Sequence, residues 1–321
     1  MKTIMVTGIG GVVGQGILRN IRAMAEPFEI VGINVVAISA GNYLCDHVYE
    51  VPYADDPAYP QAIAELARRH DVALIIPSTD LESYHLGLHR DLFPALVATS
   101  PAEVTGMCLD KYETYRAFAA KGVRFAASAL PSEYRGDFDR TVVKPRAGRG
   151  SRNIHVDPPA PTDFPDDYVV QEYLDGPELT TTFYVRQDGA LHGFITLERE
   201  LEHGNTSRAE VCTAHDEELG ALLRQMVAAF PFRGSCNVQT RVTAAGVVPF
   251  EINCRISGTN SVRSQLGFPD VAYTVEELLL GRAPEAPRIT KGSALRIILD
   301  LVYPETPLNG IRDRNDNFRI F

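Results

Sequence analysis

Apolar and polar positions change their period along the chain. Up to about residue 97, short apolar runs (KTIMVTG, EIVGINVVA, VALIIP) alternate with stretches of helical spacing (VVGQGILRNIRAM, AYPQAIAELARRH). That alternation predicts an open parallel sheet with crossover helices. Residues 110–122, DKYETYRAFAAKG, predict one helix, with Asp110 as its cap, Tyr112, Tyr115 and Phe118 at helical spacing, and Gly122 as its stop. From about residue 140 short strands take over, at DRTVVKP, RNIHV, YVVQEYL, ELTTTFYVR, ALHGFITLE and RAEVC. A helix, DEELGALLRQMVAAF, separates them from two further strands, SCNVQTRV and VVPFEIN. A second helix is expected at PDVAYTVEELLLG, then a connector at RAPEAPR (282–288) and a last strand at ALRIILDLV. The fold class is therefore α/β followed by α+β.

Composition narrows the function. A chain of 321 residues that is 45% apolar buries a large core and suits two or three lobes. Its net charge of -10 argues against a surface built for nucleic acid or anionic membrane, while leaving room for a small anion in a local basic pocket. The five cysteines are odd in number, widely spaced and free of CxxC pairs, which fits neither a disulfide framework nor a structural zinc site and suits a reducing cytoplasm. The glycine-containing run 3–18 is a poor signal peptide and too short to span a bilayer, so a soluble protein is expected.

VTGIGGVVGQG places Thr7, Gly8, Gly11 and Gly14 between a strand and a helix, as a dinucleotide fingerprint requires. An NAD(P)-dependent oxidoreductase is thus an alternative reading. Two signs oppose it: INVVAIS offers no acid for a ribose hydroxyl, and no tyrosine is followed four residues later by lysine. Glycines also serve a tight turn and close helix packing without any ligand.

The stretch VPFEINCRISG carries the strongest chemistry. Glu251 and Asn253 are two apart on a strand and share a face opposite Val248, Phe250 and Ile252. If Ala244, Ala245 and Gly246 form a three-residue hairpin loop, Thr243 pairs with Val247 and Gln239 faces Glu251. Three oxygen-bearing side chains then converge as magnesium requires. The plain alternative is a hydrogen-bonded polar face or a Glu251–Arg255 ion pair. Upstream, Arg135, Arg140, Lys144, Arg146, Arg149 and Arg152 form a basic cluster around VVKPRAGRGS. Gly148, Gly150 and Ser151 in its loop suit an approaching anion, although a solvated surface would look the same. In YVVQEYLDGPEL, backbone amides of Glu172–Leu174 suit an adenine edge and Glu178 a ribose; the alternative is a hinge with surface acids.

In combination and order these elements resemble the ATP-grasp superfamily, most of all the synthetase half of the carbamoyl-phosphate synthase large subunit and its stand-alone relatives. The resemblance runs from about residue 1 to 285. It implies a Rossmann-like domain over 1–97, a first lobe with linker helices and a glycine-rich lid over 98–175, and a second lobe with the metal site over 176–321. It implies that Lys111 and Lys144 contact phosphates, that Gly148, Gly150 and Ser151 form the lid, and that Glu172, Tyr173 and Leu174 lie beside adenine with Glu178 on the ribose. Gln239, Glu251 and Asn253 match the ligands of two magnesium ions, with manganese as a substitute, and Arg255 the arginine beside the transferred phosphoryl group. Arg149 and Arg152 depart from the glycine-richer lids of the synthases, and no second synthetase half is recognisable.

The function implied is an ATP-dependent ligase that activates a carboxylate as an acyl phosphate for capture by an amine, bicarbonate being one candidate for the activated group. Lys144 and Arg255 are its expected catalytic residues. Arg263 is a candidate for the substrate carboxylate, His203 and Arg208 for the cleft border, and Asp80 or Glu82 for the amine or a helix cap. A non-catalytic ATP-binding regulatory module is a further alternative. Small-molecule partners are expected, nucleic acid and membrane are not, and a homodimer is allowed.

Overall fold

The structure, a computed structural model, describes residues 1–148, 153–202, 204–311, 314 and 317–321. Its first sheet is parallel, with β1 (Lys2–Val6), β2 (Phe28–Asn34), β3 (His47–Glu50), β4 (Val72–Ile76) and β5 (Leu96–Val97) in the order β3-β2-β1-β4-β5. Helices α1 (Val12–Arg22), α2 (Tyr59–Arg69) and α3 (Asp80–Leu88) alternate with these strands. Continuous apolar runs are what a strand covered on both faces needs. Ile4 and Val6 accordingly pack with Ile17 and Ile21 of α1, while Met5 packs on the other face with Ile63 and Ala67 of α2.

Helices α4 (Ala102–Leu109) and α5 (Lys111–Ala120) lead out of this sheet. Asp110 caps α5 as its sequence predicts, accepting hydrogen bonds from the N–H groups of Tyr112 (2.9 Å) and Glu113 (3.1 Å), and Gly122 beyond its end has φ +66. A four-stranded antiparallel sheet follows, built from β6 (Ser128–Ala129), β7 (Thr141–Pro145), β8 (His155–Val156) and β9 (Tyr168–Glu172) in the order β6-β9-β7-β8.

The third sheet is also antiparallel, in the order β14-β13-β10-β11-β12-β15. Its strands are β10 (Glu178–Val185), β11 (Leu191–Glu202), β12 (Asn205–Val211), β13 (Gly234–Thr243), β14 (Gly246–Asn253) and β15 (Ser293–Leu295). Between β12 and β13 runs α6 (Asp216–Ala229), whose Leu219, Leu223 and Met226 share a core with Phe118, Phe183, Phe232 and Ile252. After β14 come α7 (Asn260–Arg263) and α8 (Asp270–Thr274). Val271 and Val275 join Ile4 and Val6 in the core of the first sheet, so the helical segment that follows β14 is packed onto the parallel sheet.

Two details differ from the expected pattern. The β13–β14 loop holds two residues, Ala244 and Ala245, because Thr243 pairs with Gly246 rather than Val247. A register shift between Thr240 and Gln239 restores the count: Thr240 faces Pro249, Gln239 faces Glu251, and Phe250 is the extra residue of a bulge. Gln239 and Glu251 are thus paired as expected, but Phe250 leaves the alternation with Val248 and Ile252 and lines a cleft instead. The other difference is the last strand. ALRIILDLV splits into β15 and β16 (Leu301–Val302), the latter pairing with β17 (Arg319–Ile320), and Ile298 between them is 97% exposed.

The five cysteines are free thiols, and no helix among the described residues is long and apolar enough to cross a membrane.

Candidate active site

The two antiparallel sheets and the C-terminal ends of the parallel strands enclose one cleft of about 520 Å³. Open parallel sheets present ligands at that end, where loops such as Gly8–Gly11 and Ser78–Asp80 lie. Among the described residues six basic side chains line the cleft (Lys111, Lys144, Arg199, Arg241, Arg255, Arg296) against four acidic ones (Asp80, Glu172, Glu178, Glu251). In a chain of net charge -10, this is the local basic pocket that an anionic ligand needs.

Gln239, Glu251 and Asn253 share the floor. The pairing of β13 with β14 sets the first two side by side, and Asn253 Nδ2 donates to Glu251 Oε1 at 3.4 Å. No hydrogen bond among the described residues reaches the Gln239 side-chain amide, so its oxygen is available. Burial pushes the Glu251 carboxyl up, but the charges of Lys111 and Lys144, the Asn253 amide and Arg255 outweigh it and hold the group below the usual carboxylate range. One ionised carboxylate and two amide oxygens make a hard donor set that fits magnesium.

Lys144, on β7, is 5% exposed. Burial first, then Lys111, lower its pKa to about 8, against the pull of Glu251 and Glu178. Its Nζ lies 5.3 Å from the centre of the Phe250 ring. Lys111 opens α5, and its Nζ donates to the Gly148 carbonyl at 3.3 Å. The same helix start is tied to the strand of Lys144 by Arg146, whose Nη2 meets Asp110 Oδ2 at 2.7 Å. Of the lid, Gly148 lines the cleft; Gly150 and Ser151, with Arg149 and Arg152, lie outside the described residues.

Glu172, Tyr173 and Leu174 border the cleft, with two refinements. Glu172 Oε1 is committed to the Ala127 N–H (2.7 Å), and the Tyr173 N–H donates to the Arg140 carbonyl (3.0 Å), so neither is free for a ligand's edge. No hydrogen bond among the described residues reaches the Leu174 N–H. Arg140 also stacks over the Tyr173 ring at 3.8 Å, so this member of the basic cluster holds the Glu172–Leu174 segment in place. Glu178 faces Arg199 (3.3 Å) and Arg241 (3.4 Å).

Arg255 does not pair with Glu251. Its Nε and Nη2 meet Asp80 Oδ2 at 3.2 and 2.9 Å, joining α3 to the end of β14. The caps on α3 are Thr79 and Glu82, which form a reciprocal capping box, so Asp80 is left to the cleft. Arg263 is corrected: it is fully buried, locked to Asp270 (Nη2 to Oδ2, 2.6 Å) and to Ser257 and Thr259, and cannot receive a substrate. Arg208 is corrected as well; on β12 beside β15 it is 68% exposed, 3.6 Å from Glu200, and away from the cleft lining. His203 lies outside the described residues.

Sequence reasoning missed Arg199, Arg241 and Arg296. Arg199 Nε is buried without a partner. Arg296 reaches the cleft from the edge strand, its Nε bonded to the Thr206 carbonyl (2.8 Å) and Nη2 to that of Gly258 (3.0 Å). Only the strand pairing, invisible in the local pattern, brings these arginines in. The N-terminal glycines are explained by packing: a Cβ on Gly14 would meet the Gly8 carbonyl at 2.4 Å, and one on Gly16 would meet Asn260 Oδ1 at 2.1 Å.

A parallel sheet followed by two antiparallel sheets around a basic, oxygen-lined cleft is the fold of the ATP-grasp proteins, and this chain has that fold. More narrowly, the sequence pattern of a family described as "ATP-grasp in the biosynthetic pathway with Ter operon" matches residues 164–298. No curated protein matches. Among solved structures, N5-carboxyaminoimidazole synthetase from Staphylococcus aureus in complex with ADP superposes with a TM-score of 0.76 at 13% identity, over 92% of this chain and 82% of that one. N5-carboxyaminoimidazole ribonucleotide synthetase from Thermus thermophilus gives 0.73 at 12% identity, over 99% and 92%. The biotin carboxylase domain of 2-oxoglutarate carboxylase from Hydrogenobacter thermophilus, complexed with MgADP and bicarbonate, gives 0.73 at 14% identity, over 97% and 77%. At such identities the likeness is one of fold.

Proposed function

We propose that this protein is an ATP-dependent ligase: a substrate carboxylate attacks the γ-phosphate of ATP, and an amine captures the resulting acyl phosphate to form a C–N bond, with release of ADP and phosphate. The observation that carries the reading is the convergence of Gln239, Glu251 and Asn253 with Lys144 in one cleft. These three side chains would hold two magnesium ions, or manganese in their place. When bound, the ions neutralise phosphate charge.

The chain's own groups do the rest. Lys144 and Lys111 bind phosphate oxygens, Leu174 offers its N–H to the adenine edge, and Glu178 accepts from the ribose. Arg255 stands where charge develops on the moving phosphoryl group, with Asp80 fixing its guanidinium plane. No general acid or base is required for the first step, because a carboxylate is already a nucleophile. On this reading residues 1–97 present the acceptor side, 98–175 carry the lid and 176–321 the metal floor, within a cytoplasmic protein acting on small molecules.

Bicarbonate ranks high among the carboxylates to try, because one structural relative was crystallised with it. The test is ADP release in the presence of paired amino acids or amines, with bicarbonate included. A pair that raises ADP release, and does so only with divalent metal, supports the ligase. Saturable ATP binding with no ADP release from any pair would favour the non-catalytic regulatory module instead.

A further inference from the structure

At the far end of the parallel sheet, on the order of 15 Å along the strands from the cleft, Glu29, His47 and His70 form a second cluster. Glu29 lies on β2, His47 opens the edge strand β3, and His70 caps the C-terminus of α2. One ligand atom from each lies within 4.8 Å of the others, and all three residues are half-buried. His47 Nε2 is 3.0 Å from Glu29 Oε1, and the two imidazole rings are 4.6 Å apart.

We propose that this cluster is a structural binding site for a borderline divalent transition metal of the zinc class, distinct from the magnesium floor of the cleft. Two imidazoles and one carboxylate make a mixed nitrogen–oxygen donor set, which suits zinc and is poor for magnesium. Outer contacts needed to orient such ligands are in place. The Tyr49 hydroxyl is 2.8 Å from His70 Nε2, and the buried Thr3 Oγ1 donates to Glu29 Oε2 at 3.4 Å. His70 also stands at the negative end of a helix dipole, which favours a cation, and the chain turns directly after it at Asp71, whose φ is +46. A bound ion would clamp the end of α2 to the paired strands β2 and β3 at the edge of the sheet.

The test is equilibrium dialysis of the metal-stripped full chain against zinc in a large excess of magnesium, with cobalt absorption as a second readout of nitrogen coordination. The wild type is expected to take up one zinc per chain and to gain thermal stability with it. Glu29→Gln and the double variant His47→Ala/His70→Ala are expected to bind at least about tenfold more weakly, and Tyr49→Phe to show a smaller loss. Circular dichroism of the metal-free variants verifies that they fold. Absence of zinc uptake by the wild type, or equal uptake by the folded variants, overturns the proposal.

Discussion

In the proposed reading, Lys144 is the residue on which the phosphate side of the site turns. A lysine only 5% exposed and flanked by Lys111 carries its charge at a cost, which is why its pKa falls to about 8 from the usual 10.5. Because the folded value is depressed, the unfolded chain holds this proton more tightly. Lys144 therefore burdens stability in full below pH 8, and the burden lifts as pH rises from about 8 toward 10.5. Phosphate oxygens against Nζ favour the charged form and raise the pKa again. Two consequences follow for nucleotide binding: calorimetry at about pH 9 in buffers of different ionisation enthalpy will show proton uptake, and affinity will fall by up to about tenfold per pH unit above the Lys144 pKa. Binding that is flat from pH 7 to about 9 would place no titrating lysine on the phosphates. The residue itself was legible, as a lysine ending an apolar strand before glycines. Its burial was not, because that depends on Phe250 reaching it from a strand more than a hundred residues away.

Among the elements, the β13–β14 hairpin shows how two local irregularities can preserve one pairing. A two-residue loop alone would set Phe250 opposite Gln239 and turn Glu251 toward the core; the bulge at Phe250 restores Glu251 to the cleft. Gly246 makes this loop possible. It sits at φ +99, where a Cβ would also meet Glu218 Oε1 at 2.3 Å, the same oxygen that accepts the Val247 N–H at 2.6 Å. Gly246→Val is therefore expected to lower stability by at least about 1 kcal/mol, read as a lower urea midpoint, and to weaken nucleotide binding through a disturbed register. A variant as stable as the wild type would contradict this account of the turn. The sequence pattern made the two strands and their shared polar face plain, because period-two alternation is a local property. Loop length and bulge were beyond it, as both depend on how α6 and the neighbouring strand seat the hairpin. β15 was overread for a related reason: a run as apolar as ALRIILDLV reads as one strand, yet Ile298 finds no sheet to cover it.

For the whole molecule, the decisive feature is that β14, the strand of Glu251 and Asn253, is not carried by its own lobe alone. Ile256, Val271 and Val275 complete the core of the parallel sheet, and the Arg255–Asp80 pair spans 175 residues of sequence to tie the end of β14 to the first turn of α3. Asp80→Asn removes the charge from a partly buried pair, with side chains 16% and 27% exposed, and should cost about 1–3 kcal/mol in the nucleotide-free protein. Thermal unfolding that is unchanged would mean the pair does not couple the two regions. Contacts of this span explain the uneven reading of the site: Lys144, Glu251 and Gln239 lie in motifs whose spacing is visible, whereas Arg199 and Arg296 enter by sheet order. Arg263 misled because its neighbours look like a polar loop, while the fold buries it against Asp270.

If side chains on two adjacent strands hold the metal that accompanies a nucleotide in this cleft, ATP binding depends on both magnesium and Glu251, and titration calorimetry of ATP with and without magnesium, on the wild type and Glu251→Gln, measures both. Binding to the wild type is expected to be saturable and magnesium-dependent, with a loss of at least about tenfold, roughly 1.4 kcal/mol, in the variant. Equal affinities in the two proteins, or wild-type binding indifferent to magnesium, would contradict it.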